Sequence, residues 1–219
     1  MATQMGQRMV FENAKALVRG LGYSVDQAVL TQSYLRSEVA LSTSIANYHL
    51  PVLVNDTQNG AVRVNEKRLN LQDIFVASEI SVLIGVGSAT STKAPLYTYP
   101  NGVIFTSATD DDLLSIYNGS LNLTINNQQV LPAWDVYRHY YVPQTQGGVG
   151  ITAQTIFPVD QNDGSENGFY PVEPGIVFNG AANINFQLTA NGAPATILAN
   201  SFICVIQRGI LLQNVTTVK

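Results

Sequence analysis

The chain has 219 residues, enough to bury a sizeable core as one domain. Charged residues make up 12% of it and the net charge is −4, against roughly a quarter charged in ordinary soluble proteins. That balance is too weak, and of the wrong sign, for a protein that grips phosphates, and it gives no direct nucleic-acid signal.

The apolar share, 46%, is ordinary, so Asn, Gln, Ser and Thr stand where charges usually do. Low charge weakens repulsion between copies, which suits a surface destined to be covered by neighbours. Arg8, Glu12, Lys15 and Arg19 interrupt the N-terminal stretch "MATQMGQRMVFENAKALVRG", unlike an ordinary signal peptide. No run approaches the ~18 apolar residues of a membrane span, so synthesis and folding in a cytoplasm are expected. Cys204 is the only cysteine and sits in "SFICVIQ", which reads as a small buried hydrophobe and excludes an internal disulfide.

In chain order, Val10, Ala14, Leu17, Val18 and Leu21 form one stripe of an α-helix, stopped by Gly20 and Gly22. Ser24 to Gln27, "SVDQ", reads as a capping box that opens a short second helix. Residues 1–32 are therefore a helical arm, and 33–219 a β-sandwich. In "YLRSEVAL", Leu35, Ser37, Val39 and Leu41 share a face opposite Arg36 and Glu38. Leu50, Val52 and Val54 alternate next, with Pro51 marking an edge, and "NDTQNG" (55–60) is a turn. In "DIFVASEISVLIGVG", Ile74, Val76, Ile80, Val82, Ile84 and Val86 are expected on one face, and Ala77, Glu79, Ser81 and Gly85 on the other.

Short apolar runs follow at Val103–Thr106 and "LLSIY" (113–117), then Leu121, Leu123 and Ile125 on one face. Ile176 to Phe178 enters Asn179-Gly180, and Ile184, Phe186 and Leu188 leave it, which reads as a hairpin. "SFICVIQRGILLQ" is the last strand. Asn-Gly occurs six times and Asp-Gly once, pairs suited to type I′ hairpin turns. The stretch 143–174, rich in Pro, Gly and Asn, reads as long loops. Together these predict a mainly β chain: a single jelly-roll-like antiparallel β-sandwich with a short N-terminal helical arm.

Catalytic chemistry has no visible home. His49 and His139 are the only histidines, no cluster has zinc-ligand spacing, and there is neither a G-x-S-x-G nor a P-loop. "GVGSATSTK" (85–93) leaves a strand for a Ser/Thr-rich loop and is a weak phosphate signal. Asp110, Asp111 and Asp112 read as a solvated start to a strand or helical turn, with cation binding the rival reading. No enzyme, cofactor or metal is expected. The most distinctive composition is "WDVYRHYY" (134–141), for which core, protein interface and ligand platform all stay open. Met5, Met9, Val10 and Leu17 on the arm, with Trp134, Tyr137, Arg138 and Tyr141, are the candidate interface residues.

The helical arm, "YLRSEVALSTSIANYHLPVLVND", "RLNLQDIFVASEISVLIGVG" and "PVEPGIVFNGAANINFQL" together resemble bacteriophage virion proteins of the jelly-roll kind. The resemblance implies a capsid shell or capsid-decorating subunit that assembles with copies of itself and other virion proteins. It carries over no active site, and the lack of an apolar span leaves no membrane partner expected. The competing expectation is a jelly-roll adhesion module that binds glycan.

Overall fold

The computed structural model describes residues 2–52, 69–87, 96–100, 105, 110–142 and 168–217, with backbone alone at 2–10, 51, 110–112 and 217. The expectations for Val54, the 55–60 turn, Val103, Ile104, Thr106 and the loop segment 143–167 lie outside the described residues.

The elements run α1 (Ala2–Gly20), β1 (Tyr23–Ser24), β2 (Val29–Ala40), β3 (Asn47–Val52), β4 (Ile74–Val86) and β5 (Leu96–Tyr97). After these come α2 (Asp110–Tyr117), β6 (Ser120–Ile125), β7 (Gln128–Asp135) and a one-turn 3₁₀ helix (Val136–His139). The chain closes with β8 (Phe169–Asn179), β9 (Ile184–Thr189), β10 (Ser201–Gln213) and β11 (Thr216–Thr217). One sheet has the order β2-β10-β4, with β8 and β5 both on the far side of β4; the other is β3-β9-β6-β7. All pairings are antiparallel. Apart from the β6–β7 hairpin, each long strand crosses to the opposite sheet from the one before it. The orders 2-10-4-8 and 3-9-6-7 are those of an eight-stranded jelly roll.

The two sheets close on a core that includes Leu50, Phe75, Ile80, Val82, Ile84, Leu121, Phe178, Phe186 and Val205. The expectation for β4 needs a correction here. Ile74 and Val76 do not share a face with Ile80, Val82 and Ile84. They lie in a second cluster with Ile210 and Leu212, while Phe75 and Ala77 point into the sandwich. Ser78 is the reason: Ala77 pairs with Gly209 and Glu79 with Arg208, so Ser78 is an extra residue. One extra residue reverses the parity of every side chain beyond it. Its hydroxyl donates to the Arg208 carbonyl at 3.3 Å, so the bulge is tied down. On the other side β8 answers with Val172 to Gly175, since Glu79 faces Pro171 and Ala77 faces Ile176. The loop expected to reach 174 is therefore already strand from Phe169.

The second cluster is the seat of α1. Ala14 and Val18 are buried, Phe11 and Leu17 half-buried, against Ile74, Val76, Ile210 and Leu212 on the outer face of the β2-containing sheet. The expected stripe is thus rotated: Phe11 joins it, and Leu21 is 59% exposed. The second helix is absent. Tyr23 and Ser24 pair with Thr217 and Thr216, and every residue from Val29 to Ala40 pairs with β10. Non-local pairing overrides a local capping signal too short to nucleate a helix alone. We expect Val18→Ala to lower stability by about 2 kcal/mol in urea unfolding, the loss of two buried methyls plus a small cavity. Leu21→Ala should stay within about 0.5 kcal/mol of the parent.

Two further expectations change. "LLSIY" belongs to helix α2, whose Leu113, Ile116 and Tyr117 are buried at helical spacing. Asp110 to Asp112 form its first turn, where negative charge meets the positive end of the helix dipole. The Asn179-Gly180 segment is not a hairpin, because β8 pairs with β4 and β9 with β3 and β6. Gly180 N–H donates to the Asp73 carbonyl at 3.0 Å, which swings the chain from one sheet to the other. The hairpin between β6 and β7 turns instead on Asn126 (φ 50°) and Asn127 (φ 65°), the left-handed pair of a type I′ turn.

Candidate functional site

The segment 134–141 is neither continuous strand nor α-helix. Strand β7 ends at Asp135, whose carboxylate accepts from Tyr137 N–H at 3.0 Å and caps the 3₁₀ helix. In such a turn residues three apart eclipse. Val136 and His139 therefore both point inward and are fully buried, while Tyr137 and Arg138 point out.

His139 is the inner pivot. The Trp134 indole donates to His139 Nε2 at 2.9 Å, and His139 Nδ1 lies 2.8 Å from the Gly168 carbonyl oxygen. An indole N–H can only donate, so Nε2 must accept and Nδ1 must carry the proton toward Gly168. That network fixes a neutral ring. Burial pushes the His139 pKa down to about 4; the Gly168 hydrogen bond opposes the shift, the Arg138 charge adds to it, and Asp135 opposes it. Gly168 has φ 73°, and a Cβ there would stand 2.7 Å from Thr98 Cγ2, so the carbonyl reaches His139 through a conformation and a space that suit glycine.

Outside this pivot the aromatics stack outward. The Arg138 guanidinium lies 4.9 Å from the Trp134 ring centre and 5.1 Å from that of Tyr170. Trp134 and Tyr170 meet edge to face at 5.6 Å. Tyr137 stacks on Tyr140 at 5.5 Å, and Tyr140 meets the buried Tyr117 edge-on at 5.4 Å. Tyr117 donates to the Tyr97 carbonyl at 3.2 Å, and burial holds its phenol well above the ordinary tyrosine range. Tyr97 meets Phe105 edge-on, and Tyr141 N–H donates to the Thr98 carbonyl. With Tyr99, whose phenol pKa is raised by burial and by nearby Tyr140 and Tyr97, seven of the ten tyrosines lie at this end of the sandwich.

The three open readings of the segment thus divide by residue. Val136 and His139 are core. Trp134 and Tyr140 are half-buried. Tyr137 is 54% exposed and Tyr141 36%, with Arg138 exposed beside them. Leu17 does not join this surface; it packs in the seat of its own helix. Met5, Met9 and Val10 lie on α1 with their side chains outside the description. Sequence reasoning missed Tyr170, Tyr117 and Tyr97, which come from distant strands and a helix and carry no local mark.

Chemically the site can stack and hydrogen-bond. Both nitrogens of His139 are engaged, by the Trp134 indole and the Gly168 carbonyl. His49 is exposed on β3, with Asn185 Nδ2 3.4 Å from its Nδ1. Among the described residues no three His, Cys, Asp or Glu side chains converge as metal ligands would. A groove of about 930 Å³ between α1 and β8 is lined by Leu17, Leu21, Pro174 and Val177, with Glu173 the one carboxylate among the described lining residues. Comparison with protein-family models, with curated proteins and with solved structures finds no match for this chain.

Proposed function

We propose that this chain is a virion structural protein, a capsid shell or capsid-decorating subunit that works by contacts with copies of itself and with other virion proteins. The observation that carries the reading is the exposed Tyr137, Arg138 and Tyr141 surface on a charge-poor jelly roll. Tyrosine and arginine concentrate in protein–protein hot spots because they cover much area at low entropic cost. A neutral polar exterior adds little desolvation cost when neighbours cover it. In this reading the protein is made in the host cytoplasm, resides in the virion, and is not an enzyme. Among the described residues no helix is long and apolar enough to cross a membrane.

Light scattering and negative-stain imaging of the purified chain test this directly. We expect discrete oligomers, rings or shells, and we expect Tyr137→Ser with Arg138→Ser to weaken assembly at least tenfold, the factor that ~1.4 kcal/mol gives. Both side chains are solvent-facing, so the variant should stay folded and lose only about 1–2 kcal/mol in urea unfolding, from the Tyr137–Tyr140 stack and the Arg138 contacts with Trp134 and Tyr170. A strict monomer at high concentration sinks the reading. The second reading, a glycan-binding adhesion module, is favoured by the exposed ring of Tyr137; a glycan array in which Tyr137→Ala abolishes a specific signal would select it.

A further inference from the structure

Three Asn-Gly pairs lie wholly among the described residues: Asn118-Gly119, Asn179-Gly180 and Asn191-Gly192. Such a pair can modify itself. The glycine amide nitrogen loses its proton and attacks the asparagine Cγ; a C–N bond forms, ammonia leaves, and a five-membered succinimide results. Water then opens the ring to aspartate or isoaspartate. The step needs a glycine N–H that is not already committed and an asparagine side chain free to swing toward it.

Two of the three pairs are locked. Gly119 N–H donates to the Ile116 carbonyl at 3.1 Å. Gly180 N–H donates to the Asp73 carbonyl at 3.0 Å. Asn179 is held at its side chain as well, donating to the Tyr23 hydroxyl at 2.6 Å and accepting from Ala181 N–H at 2.9 Å. Asn191 differs on each count. Its backbone N–H is anchored to the Ser115 carbonyl at 2.8 Å, but its side chain is exposed and makes no hydrogen bond among the described residues. The Gly192 N–H likewise has no acceptor among them, and nothing stands within 4 Å of where a Gly192 Cβ would be.

We propose that Asn191 is a self-modification site, at which the folded chain converts its own amide to a carboxylate. Conversion adds one negative charge to a chain whose net charge is −4, and the isoaspartate product also lengthens the backbone by one methylene. This inference is independent of the proposed function.

The test is to incubate the full folded chain at mildly alkaline pH and follow each pair by peptide mass mapping with isoaspartate detection. Asn191 should convert at least about tenfold faster than Asn118 and Asn179, the factor that ~1.4 kcal/mol of retained hydrogen bonding gives. In urea the order should collapse and the three should convert at similar rates. Folded-state rates at Asn191 no faster than at the two locked pairs would overturn the proposal. So would the same order persisting in the unfolded chain, because the selectivity would then owe nothing to the fold.

Discussion

Gly209→Ala should leave the chain unable to fold stably, with a cost of at least about 4 kcal/mol out of the roughly 5–15 kcal/mol typical of a domain. A Cβ at 209 would stand 1.9 Å from the Val76 carbonyl oxygen and 2.9 Å from Ala77 Cα. Those atoms are backbone of the neighbouring strand and cannot rotate aside as a flexible side chain would. Gly209 pairs with Ala77, directly beside the Ser78 bulge. The measurement is soluble yield and the urea midpoint, set against Gly20→Ala. Gly20 ends α1 with nothing within 4 Å of its Cβ position, and alanine there should be neutral or slightly stabilising. Equal stability of Gly209→Ala and parent would mean that the two strands do not approach as described.

The second large effect is a pH dependence. His139 takes its proton at about 4 in the folded chain, against ~6.5 for an unperturbed histidine. Between those values the unfolded state binds more protons than the folded state, so stability rises with pH across the window. Lowering the pH from ~6.5 toward ~4 should therefore destabilise the chain progressively, by about 3 kcal/mol once both states are protonated. Protonation of Nε2 would also set two donors, the imidazolium and the Trp134 indole, against each other. Urea unfolding across this range, for parent and for His139→Gln, isolates the contribution. The variant should start less stable and lack this part of the slope. Parallel slopes for the two proteins would refute the assignment.

Much of the fold could be read from periodicity alone. The alternation in 47–52, 120–125 and 184–189 and the long apolar runs at 74–86 and 201–213 mark strands because a half-buried or central strand must repeat every two residues. The helical stripe was legible at Ala14 and Val18 for the matching reason. What escaped was non-local. A bulge is one residue that looks like any other, so nothing in "FVASEISV" announces that Ser78 turns the strand over. Sheet partners are equally invisible: Asn179-Gly180 resembles a hairpin until Asp73 is seen to hold it at a crossing between sheets. "LLSIY" is compatible with both periods over so short a run, and burial of Leu113, Ile116 and Tyr117 decides it. At the candidate site the composition of 134–141 was visible. The division into a buried His139 and an outward Arg138 follows from the 3₁₀ turn, and Tyr170 arrives from another sheet.

The bulge at Ser78 has a consequence for the chain before it is folded. Because the bulge turns β4 over, its even-numbered residues meet the arm helix before Ser78 and the sandwich after it, so apolar residues run along most of the strand, and "IFVASEISVLIGV" carries one charge and no proline. A segment of that make-up is what nascent or denatured polypeptides adhere through. Its central partner β10 is nearly as apolar and lies more than a hundred positions further along. During synthesis β4 therefore waits for its mate, and aggregation competes with folding until β10 arrives.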